Sequence, residues 1–244
     1  MSDAADQLIP NAQTFLAELV QNNNRDWFKD HQGRYDQLLR HPAEALLRAV
    51  SEYLGPHHPG ITGKLFRPQR DLRFGTDKTP YHTHLHLLWS LPATPGAGLY
   101  FAVTATRVTL GGGVMQFSRD QLPRWRAAIA GQPMTRSYPT GGLDPVAGHS
   151  PASDSGLADE LAALLDILAL KGLQPKPAEL KRVPAPHGAG HPHADLLRRK
   201  SLTLWQPLDG APQMTPMGAV CSAALMLEPL FTLLRPILTD TCSD

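Results

Sequence analysis

The sequence predicts an α+β domain: an antiparallel sheet with helices packed against it from the N- and C-terminal parts of the chain. Three observations predict it. Helical apolar spacing fills residues 10–55 and returns after 118, β-type alternation is confined to the middle, and no alternating βαβ pattern occurs. The 244 residues, 42% hydrophobic and 18% charged, suffice to bury a core. Residues 1–244 read as one domain, helical over 10–55, basic loop and sheet over 64–117, helical and loop over 118–244.

Pro10 opens a helix carrying Phe15, Leu16, Leu19 and Val20, and the NNN run at 22–24 stops it and leaves Asn24 to cap the next. Trp27, Phe28, Leu38 and Leu39 supply the apolar positions of that second element. Pro42 suits a first helical position, Leu46, Leu47, Val50 and Leu54 follow at helical spacing, and Gly55 ends the run. From 82 to 91 residues alternate, His82, His84 and His86 on one face and Leu85, Leu87, Trp89 and Leu91 on the face expected to be buried. LYFAVTATRVTL then reads as a β-rich run, with GGG at 111–113 and VMQF after it completing a hairpin. Ser118 and Gln121 form a capping box for a helix bearing Leu122, Trp125 and Ile129. A Gly/Pro/Ser/Thr-rich loop covers 131–156, and Leu161, Leu164, Leu165 and Leu168 mark a helix over 157–170. The loop VPAPHGAGHPH precedes a short helix at 193–200, and the apolar stretch 216–238, broken by Pro229 and Pro236, reads as packed helices.

Composition narrows the function classes. No apolar stretch approaches the roughly 20 residues of a membrane span, and the N-terminus lacks the basic and apolar regions of a signal peptide, so a soluble cytoplasmic protein is expected. Cys221 and Cys242 are too few for a disulfide framework and read as packing or chain-end thiols, kept reduced. No GxxxxGK[ST] phosphate loop and no GxSxG nucleophile elbow occurs, which weakens a nucleotide-fold reading and leaves the cofactor unknown. The net charge of +1 is unevenly spread: residues 64–82 hold five Lys or Arg against two Asp, and residues 176–200 hold six against two acids. Two basic segments far apart in sequence make an anion site if they meet in space.

The densest chemistry is KLFRPQRDLRFGTDKTPYHTH at 64–84. Arg67, Arg70, Arg73 and Lys78 interleave with Asp71 and Asp77, while Gly75 and Pro80 impose turns that make the cations converge. A guanidinium grips carboxylate or phosphate through paired hydrogen bonds. The structural alternative puts Arg70 on the side of Leu72 and Phe74, partly buried and held by Asp71 or by backbone carbonyls.

Together with FLAELVQNNNRDWFKDHQGRYD, GGGV, LKRVP and HPHADLLRRKS, this stretch resembles the bacterial and fungal domain of unknown function numbered twenty-four sixty-one, from about residue 14 nearly to the C-terminus. The resemblance carries no reaction. It places the motif on Arg67, Arg70, Asp71, Arg73, Phe74, Asp77, Lys78, Thr79, Pro80, Tyr81, Thr83 and His84, and resumes around Lys181, His191 and Lys200. Gly75, Thr76 and His82 stand where the family pattern has Ser, Lys and Lys, which lowers the local charge. A metal bound by His82, His84 and His86, with His191 or Asp77, is a rival reading that we do not adopt. An outward strand face accepts histidine without function, and only His84 belongs to the motif.

The leading expectation is therefore a basic cleft, formed by 67–84 and 181–200, that binds a small phosphorylated or carboxylated ligand. Arg67, Arg70, Arg73 and Lys78 hold the anion, Asp71 and Asp77 orient the cations, and Tyr81 contacts the rest of the ligand, with Lys181, His191 and Lys200 closing the far side. His84 or Asp71 serves for proton transfer if the domain is an enzyme. A nucleic-acid-binding module, stacking bases on Tyr81 or Phe74, is the alternative, set against a near-zero net charge and 7% aromatic content. A scaffold without a ligand is the third.

Overall fold

Helix α1, Leu8–Gln21, turns Leu8, Ala12, Phe15, Leu16 and Leu19 inward, the spacing that lines one helical stripe. The computed structural model describes residues 6–73, 78–131, 155–208 and 215–239. Asn24 caps α2, Arg25–Tyr35, as its side chain accepts the Trp27 N–H at 2.9 Å. The chain then passes through a π-helical turn, Asp36–Arg40, straight into α3, His41–Leu54, with Pro42 in the first turn of α3. The wider turn accommodates Pro42, which has no N–H to offer the preceding carbonyls.

Six strands form one sheet: β1, Thr62–Leu65; β2, His84–Ser90; β3, Ala97–Thr104; β4, Val108–Val114; β5, Gln174–Pro175; and β6, Leu202–Pro207. Their order is β1-β2-β3-β4-β6-β5, and each neighbouring pair is antiparallel. The α+β expectation holds, with a wider sheet than the hairpin read from sequence. Alternation sorts the faces as expected. Leu85, Leu87 and Trp89 are buried with Leu99, Phe101, Val103, Leu110 and Leu204 under the helices, and His84 and His86 lie on the other side. Trp89 Nε1 donates to the Leu47 carbonyl of α3 at 3.2 Å, so this fully buried indole keeps its polar atom paired across the layers.

Helix α4, Gln121–Ile129, is entered through the expected capping box. The Gln121 N–H donates to Ser118 Oγ at 3.1 Å, and the Ser118 N–H to Gln121 Oε1 at 3.0 Å. Helices α5, Ser155–Leu170, and α6, Ala194–Leu197, flank the β5–β6 edge, and α7, Pro216–Leu238, packs across β4, α3 and α5. Residues 132–154 and Cys242 lie outside the described residues.

Three local expectations are corrected. The β3–β4 hairpin turns at 104–107, where the Arg107 and Thr106 N–H groups donate to Thr104 Oγ1, and the GGG run lies inside β4. Sheet packing dictates those glycines: a Cβ on Gly111 would fall within the van der Waals shell of the Leu204 carbonyl oxygen and 3.0 Å from the Trp205 ring, and Gly113 has φ +123°. Pro229 and Pro236 do not break the C-terminal stretch, which is one 23-residue helix. Both prolines face outward, while Ala219, Ala223, Leu227, Leu230 and Leu234 form a buried stripe that keeps the helix continuous through the lost backbone bonds. That helix is also, by length and composition, apolar enough to cross a membrane, contrary to the reading of span lengths above. Half of the apolar window is buried inside the fold, as in a core helix.

Candidate functional site

Beyond Leu65 the chain stays paired with the segment leading into β2. The Phe66 N–H donates to the His86 carbonyl at 3.0 Å, the His82 N–H to Pro68 at 2.7 Å and the Arg70 N–H to Pro80 at 2.9 Å. One residue, Arg67, therefore faces the three residues 83–85, a bulge that twists the hairpin end away from the sheet. Pro68 accepts only, which suits a position where it need not donate. Asn23, in the α1–α2 turn, clamps this end to the helices: its Nδ2 donates to the Tyr81 carbonyl at 2.9 Å and its Oδ1 accepts the Tyr81 N–H at 3.1 Å.

The motif residues do not converge as one cluster. Arg70 is half-buried and its Nη1 donates to Thr79 Oγ1 at 2.5 Å, so its described partner is Thr79 where Asp71 was expected. Asp71 instead chelates Arg73: Nη2 to Oδ2 is 2.6 Å, Nε to Oδ1 3.0 Å, and the Arg73 N–H to Oδ1 3.1 Å. The Arg73 hydrogen bonds hold the Asp71 carboxyl below its usual range, and Asp71 in turn raises the Arg73 guanidinium. Lys78 Nζ donates to the Leu72 carbonyl at 3.0 Å, bracing the loop across its mouth. Arg67 is exposed. Asp77, like Phe74, lies outside the described residues. Tyr81, expected at the ligand, lies on the opposite face: its ring stacks on Phe28 of α2, centroids 4.0 Å apart and planes 14° apart. Strand alternation from His82 puts it there.

His82, His84 and His86 form the expected row, ring centroids 4.9 Å and then 4.0 Å apart. Burial lowers all three pKa values; the neighbouring imidazoles lower those of His84 and His86 further, and Arg70 adds to the effect on His82 and His84. His86 is pushed down to about 4. The row is thus neutral at pH 7, with the His84 and His86 rings stacked and His82 tilted against His84. Among the described residues no cluster of His, Cys, Asp or Glu fits a metal ion. Cys221 is buried, which pushes its thiol up and leaves it unreactive.

The second basic segment lies elsewhere. The Lys200 N–H donates to Glu179 Oε2 at 2.8 Å, and the Lys200 carbonyl accepts the Phe117 N–H at 2.9 Å, beyond the Val114 end of β4. The hairpin end carrying Arg70 lies beyond the His84 end of β2, at the level of the opposite end of β4. Three strand spacings across and about nine residues along separate them, on the order of 30 Å. Lys181 is exposed beside Leu180, whose N–H donates to the Arg198 carbonyl, and His191 Nδ1 accepts the His193 N–H at 3.1 Å. Arg199, buried, is held by Asp195. The expected cleft joining 67–84 to 181–200 is therefore corrected: the strand order sets the two segments at opposite corners.

Sequence reading passed over Asn23, which looked like a helix stop, and the outward rings Tyr100 and Trp205, stacked with centroids 5.6 Å apart. Period-two alternation through β3 would have put Tyr100 on the histidine face, but β6, which carries Trp205, was not recognised as a strand.

An α+β domain with one sheet face under helices and a polar, histidine-lined opposite face is the class that fold and site define. Residues 11–230 match the family model described as a conserved hypothetical protein (DUF2461). The chain belongs to that family. No curated protein and no solved structure matches it.

Proposed function

We propose that this protein, in the cytoplasm, binds a small phosphorylated or carboxylated ligand at the corner where Arg70 adjoins His82 and His84, with Arg67 on the neighbouring bulge. One observation carries the reading: the backbone pairing of Arg70 with Pro80 and of His82 with Pro68 sets the half-buried Arg70 beside the histidine row, on a sheet whose six strands contain no Asp or Glu. A ligand anion there meets a cation and N–H donors with no competing strand carboxylate. If the ligand is also a substrate, neutral His84 is the proton acceptor, and Asp71, committed to Arg73, keeps the loop in shape.

Calorimetric titration with inorganic phosphate and with a sugar phosphate tests this. Arg70→Gln, which can still donate to Thr79, is expected to weaken binding at least about tenfold at an unchanged melting temperature, the loss of one charged hydrogen bond. Undiminished binding in that variant, or none in the native protein, overturns the proposal. The self-contained Asp71–Arg73 chelate and the Lys78 brace favour a second reading, an interaction domain without a ligand. Under it Arg70→Gln lowers the melting temperature and the native protein gives no heat with any anion.

A further inference from the structure

The middle of the outer sheet face carries a feature separate from the Arg70 corner. Register lines up Lys64, Leu88, Tyr100, Gly111, Trp205 and Gln174 as successive cross-strand neighbours, one from each strand. Gly111 has no side chain, so the Trp205 indole lies down on the β4 backbone, and the Tyr100 ring stacks beside it at an interplanar angle of 28°. The polar atoms of both rings are already used: Trp205 Nε1 donates to Thr203 Oγ1 at 3.0 Å and Tyr100 OH to the Gly113 carbonyl at 3.3 Å. With their donors spent, the rings can offer only π surface, and at Trp205 that surface is capped by the Lys176 ammonium, which a stacking base displaces toward its phosphate. Cations stand at both ends of the row, Lys176 Nζ 4.9 Å over the Trp205 ring and Lys64 Nζ 4.8 Å over Phe66. Lys64 and Lys176 are exposed, and Tyr100 and Trp205 are half-buried.

We infer that this face is a platform for single-stranded nucleic acid, with bases stacked at Tyr100 and Trp205 and phosphates received by Lys64 and Lys176. Stacking surfaces interleaved with cations, on a sheet without strand carboxylates, complement a ligand that alternates planar rings and negative charges. A neutral sugar would use the rings and leave the lysines idle. Length selects a strand over a free nucleotide: five interstrand steps span about 24 Å from β1 to β5, which suits a site of several nucleotides. Recognition is expected to tolerate sequence, because the ring donors are spent inside the protein.

The inference does not rest on the Arg70 corner, with which it shares no residue. Its test is fluorescence anisotropy of the full chain with a labelled oligothymidylate of about 12 nucleotides, within the range of single-strand site sizes. Saturable binding is expected. Tyr100→Leu should weaken it roughly 5- to 150-fold, the range for one lost base–aromatic stack, and Tyr100→Phe should leave it intact. Lys64→Gln with Lys176→Gln, both surface changes, should flatten the slope of log affinity against log salt by about 1.4, as for two phosphates on a single strand. No binding at low salt, a salt slope unchanged in the double lysine variant, or equal competition by thymidine monophosphate overturns the inference. The lysine arm decides the matter should Tyr100→Leu prove misfolded.

Discussion

Asn23→Ala removes the side-chain hydrogen bonds that tie the basic hairpin to the helical layer beside the Tyr81–Phe28 stack. In the native fold its amide satisfies both the N–H and the carbonyl of Tyr81, 58 residues away, with bonds of 3.1 and 2.9 Å in a partly buried setting. Each such bond contributes about 0.5–1.5 kcal/mol net, so removing both should cost about 1–3 kcal/mol. The stacking of Tyr81 on Phe28 survives the change, which limits the loss to the polar pair. Asn23→Asp sharpens the test, because a carboxylate still accepts the Tyr81 N–H but faces the Tyr81 carbonyl with no donor. It should recover less than half of the lost stability. Urea unfolding followed by circular dichroism reads both variants as midpoint shifts at constant slope. Amide exchange at Arg70 and His82 should accelerate in both, since those N–H groups bridge the same hairpin end. An Asn23→Ala midpoint within about 0.5 kcal/mol of native, the range of an ordinary surface substitution, would refute the clamp.

Two further outcomes follow from the same geometry. Gly111→Ala should destabilise by more than about 3 kcal/mol or prevent folding, because the new methyl group meets the Leu204 backbone and the Trp205 ring; a soluble variant with native melting temperature contradicts the packing described for β4. His86 takes up its proton near pH 6.5 when unfolded and near 4 when folded, so between those values the unfolded chain binds more protons. Stability is therefore full above about pH 6.5 and declines as the pH falls toward 4, with His82 and His84 acting in the same direction. His86→Asn should flatten that decline in urea midpoints taken from pH 7 to 5, and an unaltered slope would show that burial of this imidazole does not set it.

Much of the fold was legible because it depends on neighbours a few residues apart. Asn24 as a cap, the Ser118–Gln121 box and the opposed histidine and leucine faces of β2 each follow from local hydrogen bonding or from period-two alternation, and each stands in the structure. The two prolines misled for the opposite reason: their cost is local, while the buried stripe that outweighs it is tertiary. The site was legible only as a list of residue types. Arg70, His82 and His84 do adjoin, but Tyr81 turns inward against Phe28, and Asp71 closes on Arg73 within its own loop.

By itself, the amino-acid order determined the class of fold, the start of most helices and which face of the histidine strand meets water. Tertiary structure alone decided that the GGG run is a place of close approach between strands, that Tyr100 and Trp205 share a face, and that the two basic segments stand at opposite corners of the sheet. Periodicity and capping report on torsions and neighbours within one turn or one strand. The distance between segments a hundred residues apart is set by strand order and register, which the whole core selects together.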